Sequence, residues 1–492
     1  MQHRVLHSQI PGSRKRFGEK GDESMDINAF LKTVDDLVWG IPLIVLILLV
    51  GCFLTVRLRG LQLRRLPLAV RNLISDESAG EEGEVSGFGA LCTALSATIG
   101  TGNIVGVATA IAAGGPGALF WMVMAAVLGT VTKYAECLLA IKFRVVAEDG
   151  HILGGPFYYI ERGMGENWRW LGKMFAFFGI AAGVLGIGTF TQINGITSAV
   201  NSFFDPENQW SVNLLGREYS WTVIIAGIIL TACVALVLIG GLQRIAGVAQ
   251  VLVPFMAATY VTAAALILIF HFKEIPAAFV TIVQSAFGLR AAAGGALGAM
   301  LLAMQKGVAR GIFSNEAGLG SAPIAAAAVQ TDEPASQGLV SMLGTVIDTV
   351  IICTMTGLTI VITGTWDIGL EGVDVTTRAF QIGLPFAPAV SSFILMCCLV
   401  CFAFTTILGW DYYSEKCLEY LTNGNQKAVN IYRRIYILCI LAAPFMTVSA
   451  VWTIADIFNG LMAIPNLIAI IALSGVVAAE TKQYLKKIDG KA

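Results

Sequence analysis

Apolar positions along the chain run in stretches of membrane length, separated by short polar segments. A span needs about 20 mostly apolar residues, and eleven stretches qualify: Leu37 to Val56, Phe88 to Ala112, Gly117 to Ile141, Leu171 to Val200, Trp221 to Gly241, Ile245 to Phe270, Gly294 to Ala328, Leu339 to Thr363, Ala387 to Trp410, Tyr432 to Trp452 and Asp456 to Ala479. Lipid offers no hydrogen bonds, so each is expected to be a helix. Between the sixth and seventh, Ile275 to Gly288, broken by Pro276, reads as a short interfacial helix on the outer side.

The loops fix an orientation. With the loop after the first span on the cytoplasmic side, that side gathers nineteen basic residues, including Arg57, Arg64, Arg144, Lys416 and Lys487. The other side then holds five, namely Lys32, Arg217, Lys273, Arg290 and Arg378, apart from the first 24 residues. The bias puts the C-terminus inside. Met1 to Ser24 carries Arg4, Arg14, Lys15, Arg16 and Lys20 and would break the rule on the outer face, so Met25 is the expected start. The first apolar run begins late and is followed by a basic loop, which reads as a retained helix rather than a cleaved signal.

Composition agrees. Of 492 residues, 56% are apolar and 13% charged, against about 25% charged in soluble proteins. The 53 glycines fall mostly inside apolar stretches, as close-packed or interrupted membrane helices require. A net charge of −1 leaves no electrostatic footprint for nucleic acid. The ten cysteines lie almost all in apolar runs. Cys398 and Cys401 form a CxxC without a second pair or a nearby histidine, so they read as packing residues rather than a metal or redox site. Four histidines (His3, His7, His151, His271), none in a core helix, and no HExxH or GxSxG, argue against an enzyme.

Two spans are interrupted. The second contains Ser96-Ala97-Thr98-Ile99-Gly100-Thr101-Gly102-Asn103-Ile104-Val105-Gly106, and the seventh contains Gly311-Ile312-Phe313-Ser314-Asn315-Glu316-Ala317-Gly318-Leu319-Gly320-Ser321-Ala322-Pro323. Small-residue packing between helices would explain the glycines alone, but not Asn103, Asn315 and Glu316. With the first span set apart, these are the first helices of two five-helix units, the arrangement of an inverted-repeat transporter with its site between the breaks. Freed N–H groups suit a carboxylate and freed carbonyls suit a cation or an ammonium, which fits an amino acid carried with sodium. The spacing of Gly100, Gly102 and Gly106 is not a dinucleotide loop, because a membrane-length helix surrounds it.

Several segments carry a family resemblance: Gly87 to Ala94 running into Gly100-Thr101-Gly102-Asn103, Gly114 to Ala118, Thr132 to Glu136, Gly154-Gly155-Pro156, Gly307 to Gly311, Ser314 to Pro323, Thr406 to Trp410 and Asn459 to Asn466. On these residues the chain resembles the sodium:alanine (alanine or glycine:cation) symporter family, with the leucine-transporter type of fold, over roughly Asp26 to Tyr484. The resemblance implies an all-α polytopic protein of the cytoplasmic (inner) membrane. One extra helix would precede a 5+5 inverted-repeat core whose first and sixth helices are broken. It further implies a sodium ion held by the carbonyls of Ser96 and Ile99 and the adjacent hydroxyls of Thr405 and Thr406, an oxygen shell that a hard cation takes. Thr98 and Asn103 correspond to a second sodium position. Gly100, Thr101 and Gly102 would meet the substrate carboxylate. Phe313, Ser314 and Gly318 would surround its amine and side chain, with Trp410 and Phe313 as aromatic walls.

Gln192, polar within an apolar span, is either a substrate contact or a helix-to-helix hydrogen bond. Lys306, Arg310, Glu316 and Asp348 are ionisable groups at membrane depth and are expected to form internal ion pairs or a gate. The expected divisions are a polar extension (1–24), the extra helix with its basic loop (25–86), the first repeat with the outer loop (87–289), the second repeat (290–480) and a cytoplasmic tail (481–492). The expected activity is sodium-coupled import of a small neutral amino acid, such as alanine or glycine, by alternating access, with no organic cofactor. Proton coupling through Glu316 or Asp348 is the alternative, and a channel is a further one.

Overall fold

The computed structural model describes residues 27–74, 84–146, 151–214, 217–289, 295–446 and 448–490. The expected extension 1–24, the start at Met25 and Arg290 lie outside them. The protein is mostly helical. Among the described residues nine helices are long and apolar enough to cross a membrane, or ten if a bent pair is one span.

The described residues open with α1 (Ile27–Val38) and α2 (Ile41–Arg57), separated by a turn at Trp39 and Gly40, with Pro42 in the first turn of α2. The expected second span is the bent pair: α3 (Gly87–Thr98) ends at Ile99, and a wide π-type turn over Gly102–Gly106 leads into α4 (Val107–Gly114), with a bend of 50°. Ser86 caps α3 by accepting the Gly89 N–H at 3.1 Å. The third span is α5 (Gly117–Lys142), the central post, which packs against α11 (Ala296–Asn315) and α12 (Pro334–Thr345).

The expected span Leu171 to Val200 falls within one crossing, Glu166–Phe204, built of two helices, α6 (Arg169–Leu185) and α7 (Phe190–Phe204). Gly186-Ile187-Gly188-Thr189 separates them. Helices α8 (Trp221–Leu238) and α9 (Gly241–Phe270) follow. Their Ile225, Ile228, Ile229, Val251, Phe255 and Ile269 are exposed, an apolar surface that only lipid covers favourably. The short outer helix is present as α10 (Ile275–Ala286).

The seventh stretch divides into α11, an irregular segment from Glu316 to Ser321, and a short helix Ala322–Ala326 begun by Pro323. Helix α12 passes through a π-type segment (Val346–Cys353) into α13 (Thr354–Thr363). Helix α14 (Val373–Gly383) then lies in what the hydropathy pattern left as a loop. Helix α15 (Pro388–Leu421) runs well past the expected end at Trp410.

The stretch Tyr432 to Trp452 is not one span. It ends with α16 (Gln426–Ala442) and a turn at Ala443–Phe445, and Trp452 belongs to the next helix, α17 (Val448–Asp489). Pro444, with no N–H to give, ends α16 there. Two short hairpins, β1 (Val145–Val146) with β2 (Ile152–Leu153) and β3 (Ser211–Leu214) with β4 (Arg217–Ser220), sit between helices.

The largest core cluster joins α2, α5, α6, α11, α15 and α17, and a second joins α3, α9, α14 and α15. Buried polar residues lie among them rather than at the rim: Ser96, Thr101, Asn103, Gln192, Ser314, Glu316, Asp348 and Thr405 are each at most 1% exposed. Buried polar groups need partners, and those partners define the site.

Candidate functional site

The first break releases backbone groups one by one. In a continuous helix the Gly100 N–H would bond the Ser96 carbonyl and the Thr101 N–H that of Ala97. Here Gly100 N–H donates to Asn103 Oδ1 at 2.9 Å, and Thr101 N–H to Gln192 Oε1 at 3.1 Å. The carbonyls of Ser96 and Ala97 thereby leave the ladder. The Ile99 carbonyl receives the Thr406 hydroxyl at 3.3 Å. Two side-chain amide oxygens thus occupy adjacent N–H groups, the pattern that a carboxylate also matches.

Glycine is required here by close approach. A Cβ on Gly102 would lie 3.0 Å from Ser314 Cα and 3.2 Å from Ser314 Cβ, and one on Gly100 would lie 2.5 Å from Thr406 Oγ1. The first break therefore touches both the end of α11 and the middle of α15.

Helix α11 ends on Glu316, whose φ of 58° is left-handed. Asn315 Oδ1 accepts the Ala317 N–H at 2.9 Å, and Asn315 Nδ2 donates to Thr349 Oγ1 at 3.0 Å. Ser314 Oγ donates to Asp348 Oδ2 at 2.8 Å, Thr349 Oγ1 to the same oxygen at 2.6 Å, and Asn103 Nδ2 to Asp348 Oδ1 at 2.7 Å. Asp348 thus ties both breaks together from the π-type segment after α12. The Glu316 carboxylate accepts Trp410 Nε1 at 2.7 Å and Ser321 Oγ at 2.6 Å.

A family model described as the sodium:alanine symporter family matches residues 24–492. The chain belongs to the sodium:alanine symporter family. It is 50% identical to an uncharacterized transporter of Haemophilus influenzae over 94% of this chain and 97% of that one. It is 44% identical to the sodium/alanine symporter AgcS of Methanococcus maripaludis, covering 94% of this chain and 98% of AgcS. It is 37% identical to the probable sodium/glutamine symporter GlnT of Bacillus subtilis over 92% and 90% respectively. Membership makes it a multi-pass membrane protein of a sodium-coupled amino-acid symporter family.

Within this sodium:alanine symporter family member, the residues expected to serve sodium and substrate are distributed unevenly. Ser96, Ile99, Gly100, Thr101, Gly102, Asn103, Gln192, Ser314 and Thr406 converge on the two breaks. The Thr405 hydroxyl instead bonds the Phe402 carbonyl at 2.9 Å and faces Met256 Sδ at 3.6 Å. Thr98 Oγ1 bonds its own helix at Ala94, 3.2 Å away. Gly318 offers its carbonyl to Asn466 Nδ2 at 2.9 Å. The Trp410 ring has its N–H on Glu316. Phe313 packs against Trp452, ring centroids 5.1 Å apart, with the Arg310 guanidinium 5.6 Å from the Phe313 ring and 5.0 Å from the Trp452 ring.

Of the ionisable groups at membrane depth, the half-buried Arg310 forms a two-pronged ion pair with Asp456 at 2.8 and 2.7 Å. Sequence reasoning missed Asp456 and Trp452 as neighbours of the site, because they lie about 140 residues away in the chain. It also missed Asn466, although this residue closes one of the family-like segments. Asn466 donates to Glu136 Oε1 at 2.6 Å and accepts from the Tyr159 hydroxyl. The Gly186–Thr189 interruption carried a signal, since Gly-Ile-Gly-Thr inside an apolar run resembles the two breaks. Its Ile187 carbonyl accepts Gln192 Nε2 at 3.0 Å, and its Gly188 carbonyl accepts the Tyr436 hydroxyl at 2.9 Å.

Proposed function

We propose that the protein is a sodium-coupled secondary active symporter that imports a small neutral amino acid, alanine or glycine in the first instance, by alternating access. The arrangement is one extra helix followed by ten core helices in two inverted repeats of the leucine-transporter type, set in the cytoplasmic (inner) membrane with the C-terminus inside. Of all the observations, the one that carries this reading is the pair of adjacent N–H groups of Gly100 and Thr101, held by Asn103 and Gln192 amide oxygens at the point where Gly102 meets Ser314.

A substrate carboxylate exchanges with those amide oxygens and takes the two N–H donors. Its amine faces the end of α11 at Phe313 and Ser314, with Asp348 behind Ser314 and the Gly318 carbonyl beyond the break. Phe313 and Trp410 bound the pocket. One sodium is taken by the carbonyls of Ser96 and Ile99 with the Thr406 hydroxyl, joined by Thr405 on rotation of its side chain. A second position, at Thr98 and Asn103, gains negative charge from Asp348. The Arg310–Asp456 pair, stacked on Phe313 and Trp452, closes the side of the site from which α11 enters, which the loop charges make the outer side.

Each sodium moving inward across 100 mV contributes about 2.3 kcal/mol, enough for an uphill ratio of about fiftyfold. Uptake of labelled alanine into proteoliposomes tests the reading. An inward sodium gradient should drive accumulation, and choline should abolish it. Uptake that persists in choline and follows a proton gradient instead would overturn sodium as the coupling ion, and flux that neither saturates nor supports counterflow would mean a channel.

A further inference from the structure

One group of buried charges is left over by this mechanism. Lys133 and Glu136 lie one turn apart on the same face of α5, 2% and 0% exposed respectively. Lys133 Nζ has no hydrogen-bond partner among the described residues, and neither has Glu136 Oε2. The ammonium lies within electrostatic reach of three buried carboxylates, Glu136, Glu316 and Asp348. Two of these have a neutral donor on each oxygen and acceptor sites to spare: Asp348 from Asn103, Ser314 and Thr349, and Glu316 from Ser321 and Trp410. Glu136 alone keeps an oxygen without a partner.

One buried ammonium therefore stands among three buried carboxylates and is hydrogen-bonded to none of them. An uncompensated buried charge is costly. The imbalance is least while a transported cation sits beside Asp348 and greatest when the carrier is empty, which is the state that must return across the membrane. Lysine suits a compensating role, being a compact charge on a flexible four-carbon stem with three rotatable donors.

We propose that Lys133 is a tethered cation that stands in for the transported ion during the return of the empty carrier. Its ammonium turns toward Asp348 when the ion has left and toward the open oxygen of Glu136 when the ion is bound. Lys133 is thus a built-in competitor for the cation, and Glu136 is its resting partner. The inference rests on the sodium-coupled reading above.

The role has a signature that a merely structural lysine would lack. In the full chain reconstituted in proteoliposomes, Lys133→Met removes the competitor, so half-saturating sodium should fall about tenfold, within the usual range for coupled sites. Net uptake should be lost, because the empty carrier cannot return, while exchange of labelled for unlabelled alanine with sodium on both sides persists. Glu136→Gln removes the resting partner, so half-saturating sodium should rise. Opposite shifts in the two variants support the proposal. Shifts of the same sign, unchanged sodium dependence, or a Lys133→Met protein with an unaltered ratio of net uptake to exchange would overturn it. Where Lys133→Met does not fold, Glu136→Gln decides alone through binding of radioactive sodium to the purified protein, and affinity that fails to weaken sinks the idea. Native protein without sodium-dependent alanine uptake would instead overturn the parent reading, and this inference with it.

Discussion

Thr405 and Thr406 are adjacent in sequence and hold different posts. Thr406 reaches across to the Ile99 carbonyl at 3.3 Å, whereas Thr405 bonds its own helix and faces Met256. A bond to a charged group is worth about 1.5–3 kcal/mol, so Thr406→Ala should raise half-saturating sodium by about 10- to 100-fold. Thr405→Ala should raise it less, and sodium titration of alanine uptake reads both. Gln192 is a second residue whose neighbours define its part. It joins the Thr101 N–H of the first break to the Ile187 carbonyl of the α6–α7 break. The helix-to-helix bond is therefore made, and the substrate contact is the part that a binding measurement must test. Gln192→Ala leaves two buried backbone groups without that partner, at about 1–3 kcal/mol each. It should lower the melting temperature in detergent, and saturating alanine should recover part of the loss if the carboxylate takes the same N–H.

Among the elements, the two breaks work by contact. Gly102 lies against Ser314 so closely that an added methyl would stand 3.0 Å from the Ser314 Cα. Backbone cannot yield there as a flexible side chain can. Gly102→Ala should therefore push the breaks apart and reduce alanine uptake by at least about tenfold, since small misplacements at a binding constellation are expensive. Its fold should survive, as shown by an unchanged elution profile. The clusters Ser96 to Gly106 and Gly311 to Pro323 were legible in the sequence because several small and polar residues in an apolar run have no place on a lipid-facing helix. The third interruption, at Gly186–Thr189, has glycine spacing like that of the two breaks, but small-residue packing explains its four residues equally well. The end of α16 at Ala442, just before Pro444, is likewise hidden from hydropathy, which continues across the turn while the hydrogen-bond ladder does not.

Across the whole molecule, the Arg310–Asp456 pair binds α11 to α17, with the Phe313 and Trp452 rings beneath the guanidinium. Removing one member of a fully buried pair leaves a lone charge and costs about 3–5 kcal/mol. This pair is partly exposed, so each single change should cost less, whereas replacing both with apolar residues is often neutral. Arg310→Met and Asp456→Leu should each lower the melting temperature. The double variant should regain stability while losing tight coupling, seen as alanine leak from loaded proteoliposomes without sodium. A double variant that retains native coupling would show that the pair is a structural tie and not a gate.

The sequence by itself determined the membrane class, the positions of most helices, the two main breaks and the family. Each of these depends on local facts: the length of an apolar run, the failure of a glycine-rich polar cluster to suit lipid, and motifs a few residues long. Tertiary structure decided which of those residues meet. That Gln192 bridges two interruptions, that Asp348 ties Asn103 to Ser314, that Trp410 is held by Glu316 and that Asp456 answers Arg310 all follow from packing between segments far apart in the chain. Hydropathy is a property of consecutive residues, whereas a buried polar group takes its partner from whichever helix the fold brings beside it.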